Sequence, residues 1–236
     1  MGPDRGGRAA GAILEDAGSP AGGNTLAVPA PASLGTGRDS NTRARILRAA
    51  AALFHRQGFD RTTMQEIAAA SGLTKGSIYH HIRSKQALLY EILQHTLDRS
   101  LPDLERIAAA RLPAAERLRR AVRLHILTLV SDRDNVSCFI EEGRSLAPEY
   151  QAAHLAARDR YEALFRRIVE DGIGSGEFAP TDVRLAGLAV LGMVNWMVRW
   201  YRPEGPRPAE EIAARFGDYA VGALAGARGE HDSPRA

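Results

Sequence analysis

The chain has 236 residues, 44% of them hydrophobic and 25% charged, with a formal net charge of only +3. That is enough chain for one large or two small domains with a sizeable core, in an ordinary globular composition. It excludes a membrane span, since no run approaches the roughly 18 apolar residues needed, and an intrachain disulfide, since Cys138 is the single cysteine.

Residues 1–40 are rich in Gly, Pro and Ala, and "GSPAGG" and "PAPASLGTG" have neither a helical nor a strand period. They read as a disordered extension. No basic segment is followed by an apolar core there, so it is not a secretory signal, and a cytoplasmic protein is expected. Charge is uneven along the rest. Residues 41–100 carry nine Arg/Lys against four acids, a surplus of five that leaves −2 for the remainder. A basic module joined to a nearly neutral one fits a polyanion partner for the first.

From Asn41, "NTRARILRAAAALFHRQGF" places Ile46, Leu47, Ala50, Leu53 and Phe54 on one helical face, and Gly58 ends the helix. Thr63 and Glu66 form the T-x-x-E capping box of a short helix, "MQEIAAA". Ser71-Gly72-Leu73 turns the chain, Thr74 caps "KGSIYHHI", and Ser84 caps a longer helix with Leu88, Leu89, Ile92 and Leu93 inward. Pro102 predicts a kink or break in that helix. Further helices are expected near 113–131, 134–146, 149–174, 181–202 and 208–226, with no strand alternation and no repeat. The fold class is all-α.

Two helices joined by a tight turn, the second short and polar, describe a helix-turn-helix. A recognition helix enters the major groove by its N-terminal residues, which must be small, donor-rich or cationic. Thr74, Lys75, Gly76 and Ser77 meet that demand, with Tyr79 and His80 on the exposed face. Gly76 costs about 1 kcal/mol of helix propensity against Ala, understandable where backbone approaches another surface closely. Lys85, at the first turn of the next helix, is expected to meet phosphate. The adjacent His80 and His81 point to different sides of the helix, so no metal site is expected.

Residues 43–90 resemble the DNA-binding domain of the TetR/AcrR family of transcriptional regulators. Gly58, Thr62-Thr63, Gly72, Tyr79 and Ser84-Lys85 fall where that family's motif has the same residues, whereas Ile82 stands where it usually carries Phe. Across the family motif, Arg43, Thr62 and Thr63 join the expected DNA contacts. The resemblance implies a homodimeric repressor on a pseudo-palindromic operator. It also implies a divergent C-terminal domain that binds a small effector and dimerises through its last two helices. The expected domains are residues 41–86 for DNA binding and 87–228 for ligand and dimer, with a disordered tail at 229–236.

In "TDVRLAGLAVLGMVNWMVRWYRPEG", Leu188, Gly192, Asn195, Trp196, Arg199 and Trp200 fall within an arc of roughly 140°. Val190, Val194, Met197, Val198 and Tyr201 occupy the other side. An arginine and an asparagine beside two tryptophans suit a ligand with anionic and flat parts. "MVRWYRPEGP" and "FIEEGRSLAPEY" resemble TetR-family repressors of fatty-acid and steroid catabolism that answer to acyl-CoA thioesters. The resemblance implies phosphate partners among Arg144, Arg199 and Arg202, and an acyl group near Phe139 and Leu188. The competing expectation is another apolar or aromatic effector, or a plain core in which Arg199 pairs with an acid. Ile212, Phe216, Ala220 and Leu224 form a stripe on the last helix, so Met197, Tyr201, Phe216 and Leu224 are the expected dimer contacts.

No G-x-S-x-G, H-E-x-x-H, Cys/His or P-loop signature supports a CoA-handling enzyme. His125 and His154 lack ligand spacing and read as core or surface residues; Cys138, in "NVSCFI", reads as inert packing. No cofactor is expected. A nucleoid protein without sequence preference is the remaining alternative for the basic module.

Overall fold

The computed structural model describes residues 37–226, and all its regular elements are helical. The extension and tail expected to be disordered lie outside the described residues, except that the first helix starts at Gly37, ahead of the expected Asn41. The elements are α1 (Gly37–Gln57), α2 (Met64–Ala70), α3 (Lys75–His81), α4 (Lys85–Ala108), α5 (Ala114–Ser131) and α6 (Arg133–Glu142). A 3₁₀ turn (Gly143–Ser145) leads to α7 (Pro148–Gly174), α8 (Val183–Asn195), α9 (Met197–Trp200) and α10 (Ala209–Ala225).

Local chemistry sets the first three boundaries. Gly58 (φ 83°) and Gly72 (φ 68°) take the left-handed backbone that lets the chain leave α1 and α2 abruptly. Thr63 and Glu66 complete the capping box of α2. Thr74 accepts from Ser77 N–H at 3.1 Å, and Ser84 accepts from Ala87 N–H at 3.0 Å, opening α3 and α4.

Two cores share α4. Ile46, Phe54, Ile67, Ile78, Ile82, Leu88, Leu89 and Ile92 fill the first, joined by Cys138 of α6 and Leu146. Leu104, Leu118, Ile126, Phe165, Ile168, Val194 and Met197 belong to the second. The boundary expected at residue 86 therefore falls at the start of a helix that serves both units.

One expectation is narrowed and two change here. Helix α4 runs through Pro102 without a break; Pro102 and Asp98 are both exposed, so water can take the carbonyl that proline leaves unpaired. The segment expected at 181–202 is interrupted at Trp196, where Arg199 N–H bonds Trp196 O (3.1 Å) in a tightened turn. Finally, the α10 stripe of Ile212, Ala220 and Leu224 is buried within its own subunit. A side chain at Gly217 would stand 3.3 Å from Arg119 Cα, which is how closely α10 lies on α5.

Candidate DNA-recognition surface and effector cavity

Helix α3 presents the polar face anticipated for a recognition helix. Thr74, Lys75, Gly76 and His80 are exposed, Ser77 is half-buried, and Tyr79 is 48% exposed. A Cβ at Gly76 would meet nothing within 4 Å, so the backbone here faces open space. Ile78 and Ile82 anchor the opposite side and are fully buried or nearly so; the aliphatic Ile82 fills the place of the family's usual Phe.

Four other expected DNA contacts are engaged in the protein itself. Lys85 Nζ donates to the carbonyls of Phe59 (2.9 Å), Thr62 (3.0 Å) and Asp60 (3.4 Å), and lies 4.1 Å from the centroid of the Phe59 ring. Its ammonium faces the loop after α1, so in the DNA-free chain this lysine is a staple between α4 and that loop. Arg43 pairs with Glu91 and donates to His81 O at 2.7 Å. Thr62 is 1% exposed and donates to Gly58 O at 2.8 Å. Thr63, although exposed, is committed to the capping box with Glu66.

In the second unit, α4 to α8 enclose a cavity of about 220 Å³. Leu97, Val136, Phe139, Ile140, Leu188 and Leu191 give it apolar walls. Thr96, Ser100 and Tyr161 lie at its buried end, whereas Ile140, Arg158, Leu188 and Gly192 are exposed and mark the opening. Arg158 faces Glu162 at 3.7 Å.

The polar end is organised by His125. Its Nε2 lies 2.8 Å from Asn195 Oδ1 and its Nδ1 lies 3.0 Å from Tyr161 Oη. A carboxamide oxygen only accepts, so Nε2 carries the proton, and the neutral ring then accepts the Tyr161 hydroxyl at Nδ1. Burial drives the His125 pKa down to about 4, opposed by the Asn195 hydrogen bond, and pushes the Tyr161 phenol up. His125 was expected to be core or surface; it is instead part of the cavity wall. Nothing local announced it, because its partners come from α7 and α8.

The cavity gathers Phe139, Leu188 and Asn195 from the expected ligand residues, but not Arg144, Trp196, Arg199, Trp200 or Arg202. Arg199 is paired with Glu141 at 3.3 Å, the outcome foreseen for a plain core, while Arg144 and Trp196 face outward. The interruption at Trp196 ends the arc that joined these residues on paper. Trp200 and Arg202 instead line a separate surface cleft with Tyr201, Phe216 and Tyr219. The expected dimer contacts Met197, Tyr201 and Leu224 are buried in their own subunit, at 0%, 6% and 8% exposure, leaving only Phe216 partly open.

Helix α6, like α4, touches both units. Val136, Phe139 and Ile140 of α6 face the cavity, while Cys138 packs in the first core and its thiol lies 3.5 Å from Ala51 O. Burial, with Glu142, Asp134 and Glu141 nearby, raises the Cys138 pKa, consistent with inert packing. Phe59 N–H donates to Glu142 Oε1 at 3.1 Å. Gln86, in the first turn of α4, donates to Ser145 O (2.9 Å) and accepts from Ala147 N–H (2.8 Å).

Residues 46–92 match the bacterial regulatory proteins of the tetR family, and residues 111–224 match the tetracyclin repressor-like C-terminal domain. The transcriptional repressor KstR2 of Rhodococcus jostii is 30% identical over 200 residues, covering 84% of this chain and 97% of that protein. The chain belongs to the TetR family. It is therefore a DNA-binding transcriptional regulator and not an enzyme. Among solved structures of this family, PfmR of Thermus thermophilus is 38% identical with a TM-score of 0.70, covering 75% of this chain and 97% of that one. AibR, solved in complex with isovaleryl coenzyme A and operator DNA, is 32% identical with a TM-score of 0.70, covering 78% and 97%. No helix among the described residues is long and apolar enough to cross a membrane.

Proposed function

We propose that this TetR-family regulator is a cytoplasmic homodimeric repressor, released from a pseudo-palindromic operator by a compact acyl-CoA thioester. The observation that carries this reading is the cavity, one wall of which, α6, also packs against the DNA-binding core. The likeness to KstR2, a repressor, and to AibR, solved with isovaleryl coenzyme A, supports the class of effector. The acyl group would lie among Phe139, Leu188 and Leu191, with the much larger CoA outside the opening near Arg158. The protein needs no cofactor in this reading.

Thr74, Lys75, Gly76, Ser77, Tyr79 and His80 would meet DNA, two copies of α3 standing about one helical turn (roughly 34–36 Å) apart. Dimer contacts would come from the outer faces of α8 and α10. Leu185 is exposed on α8 and Trp196 just past its end, Tyr219 is exposed on α10, and the Trp200 and Phe216 rings lie tilted with centroids 6.2 Å apart. Exposed large apolar side chains in this number suit a protein interface. Effector binding that moves α4 and α6 would shift the two recognition helices off their spacing, a population shift between two states.

The test is a DNA-shift assay on the gene's own upstream region with a panel of CoA thioesters and free CoA. Release by a thioester but not by free CoA is expected. Failure of every thioester, with release by an unrelated apolar or aromatic compound, would favour the other effector class.

A further inference from the structure

The closed end of the cavity is the wrong chemistry for a plain alkyl tail. His125, Tyr161 and Asn195 form one chain of hydrogen bonds there, and the directions of those bonds decide what is left over. Asn195 spends its carbonyl on His125 Nε2 (2.8 Å), and its side-chain N–H groups have no partner among the described residues. Tyr161 donates to His125 Nδ1 (3.0 Å) and has the Ser100 hydroxyl as a second hydrogen-bond partner, which keeps one phenol lone pair as an acceptor. The end therefore offers both a donor and an acceptor. A methyl terminus would desolvate both without replacing their water partners.

The charge balance narrows the ligand further. Arg158 is the arginine of the lining, and it stands at the opening paired with Glu162. No cation is left at the buried end to neutralise a carboxylate. The depressed pKa of His125 agrees, since an imidazole that stays neutral through physiological pH cannot act as a counter-ion. With CoA outside the opening, as proposed above, the thioester carbonyl stays near that opening, and a different group must reach the network.

We infer that the effector carries a neutral oxygen function, a ketone or hydroxyl, at the end of its acyl part away from the thioester, bound by Asn195 and Tyr161 with His125 holding both in place. This inference rests on the reading of the cavity as an acyl-CoA site. It adds that the regulator answers to an oxidised, partly degraded acyl group and rejects its saturated counterpart. A site built around hydrogen bonds discriminates strongly against an analogue that lacks the partner, because buried groups are left unpaired.

Calorimetry on the full chain with matched pairs of compounds tests it. Levulinoyl-CoA is compared with pentanoyl-CoA, and oxocyclohexylpropanoyl-CoA with cyclohexylpropanoyl-CoA; the same four acyl groups are also tested as methyl esters. The oxo member of at least one pair is expected to bind tenfold or more tightly than its saturated partner. Asn195→Leu should bring that ratio close to one, a change in preference that mere loss of stability would not produce. Absence of any oxo preference in the wild-type chain, through equal binding or through no binding, overturns the inference. Thioesters that bind equally well overturn it alone, leaving the acyl-CoA reading intact. An oxo preference seen only among the methyl esters upholds it and instead removes the role of CoA.

Discussion

Replacing Lys85 by methionine separates two roles that would otherwise be confused. The ammonium is bonded to the carbonyls of Phe59 and Thr62 at 2.9 and 3.0 Å and sits 4.1 Å above the Phe59 ring. A hydrogen bond with a charged partner contributes on the order of 1.5–3 kcal/mol, and a partly desolvated cation–π contact about 0.5–2 kcal/mol. Part of this returns when water reaches the freed carbonyls and the methionine stem keeps its packing. A net loss of about 2–4 kcal/mol is therefore expected, of the order of 5–15 °C in Tm for a chain of this size. Urea unfolding of the free protein checks the loss, and operator titrations at several salt concentrations check the slope. If Lys85 were a phosphate ligand, Lys85→Met would leave stability within about 0.5 kcal/mol and reduce the salt slope by about one unit. That pair of results would refute the staple.

Lys75→Ala and Tyr79→Ala should both weaken operator binding without moving Tm, and Lys75→Ala alone should reduce the salt slope by about one unit; unchanged operator affinity in both would take α3 off the DNA. Trp196→Asp should raise the dimer dissociation constant by roughly 30-fold or more, as loss of an interface hot spot of about 2 kcal/mol does. Met197→Ala should instead cost the fold about 2–5 kcal/mol as a buried truncation; light scattering showing an intact Trp196→Asp dimer would move the interface elsewhere. His125 and His154, both held neutral mainly by burial with pKa lowered from 6.5 to about 4, make stability full above pH 6.5 and lost as pH falls toward 4. The unfolded chain takes up those protons first, so each contributes up to about 3 kcal/mol across that window. Chemical denaturation of the wild type and of His125→Asn/His154→Leu should differ in pH slope there, and identical slopes would contradict the assignment.

The first unit was largely legible because its signals are local. Capping residues act within three positions, so Thr63 with Glu66, Thr74 and Ser84 could be read directly. The apolar faces of α1 and α4 followed from their period. The staple role of Lys85 was not legible, because its carbonyl partners belong to a loop more than twenty residues earlier. Periodicity on α10 found a buried stripe but not what it is buried against. A packed α5 and a second subunit would both select such a stripe, and only the structure, with Gly217 close against Arg119, assigns it to α5. The arc of two tryptophans, Asn195 and Arg199 on the segment at 181–202 assumed one unbroken helix, which the tightened turn at Trp196 undoes. The network at the cavity end was out of reach altogether: His125 lies 36 residues from Tyr161 and 70 from Asn195.

The central claim is that what fills the cavity controls DNA binding through α4 and α6. Fluorescence anisotropy of labelled operator, titrated with a binding thioester, measures it most directly when wild type is compared with Thr128→Phe. Thr128 lines the cavity but contributes nothing to α3, so a phenyl group there occupies the effector's space. The wild type should release the operator as thioester is added. Thr128→Phe should respond at least tenfold less to the thioester, and its operator affinity without ligand should already have shifted toward the released state or stayed unchanged. A Thr128→Phe protein that binds operator normally and releases it at the same thioester concentration as wild type would contradict the account.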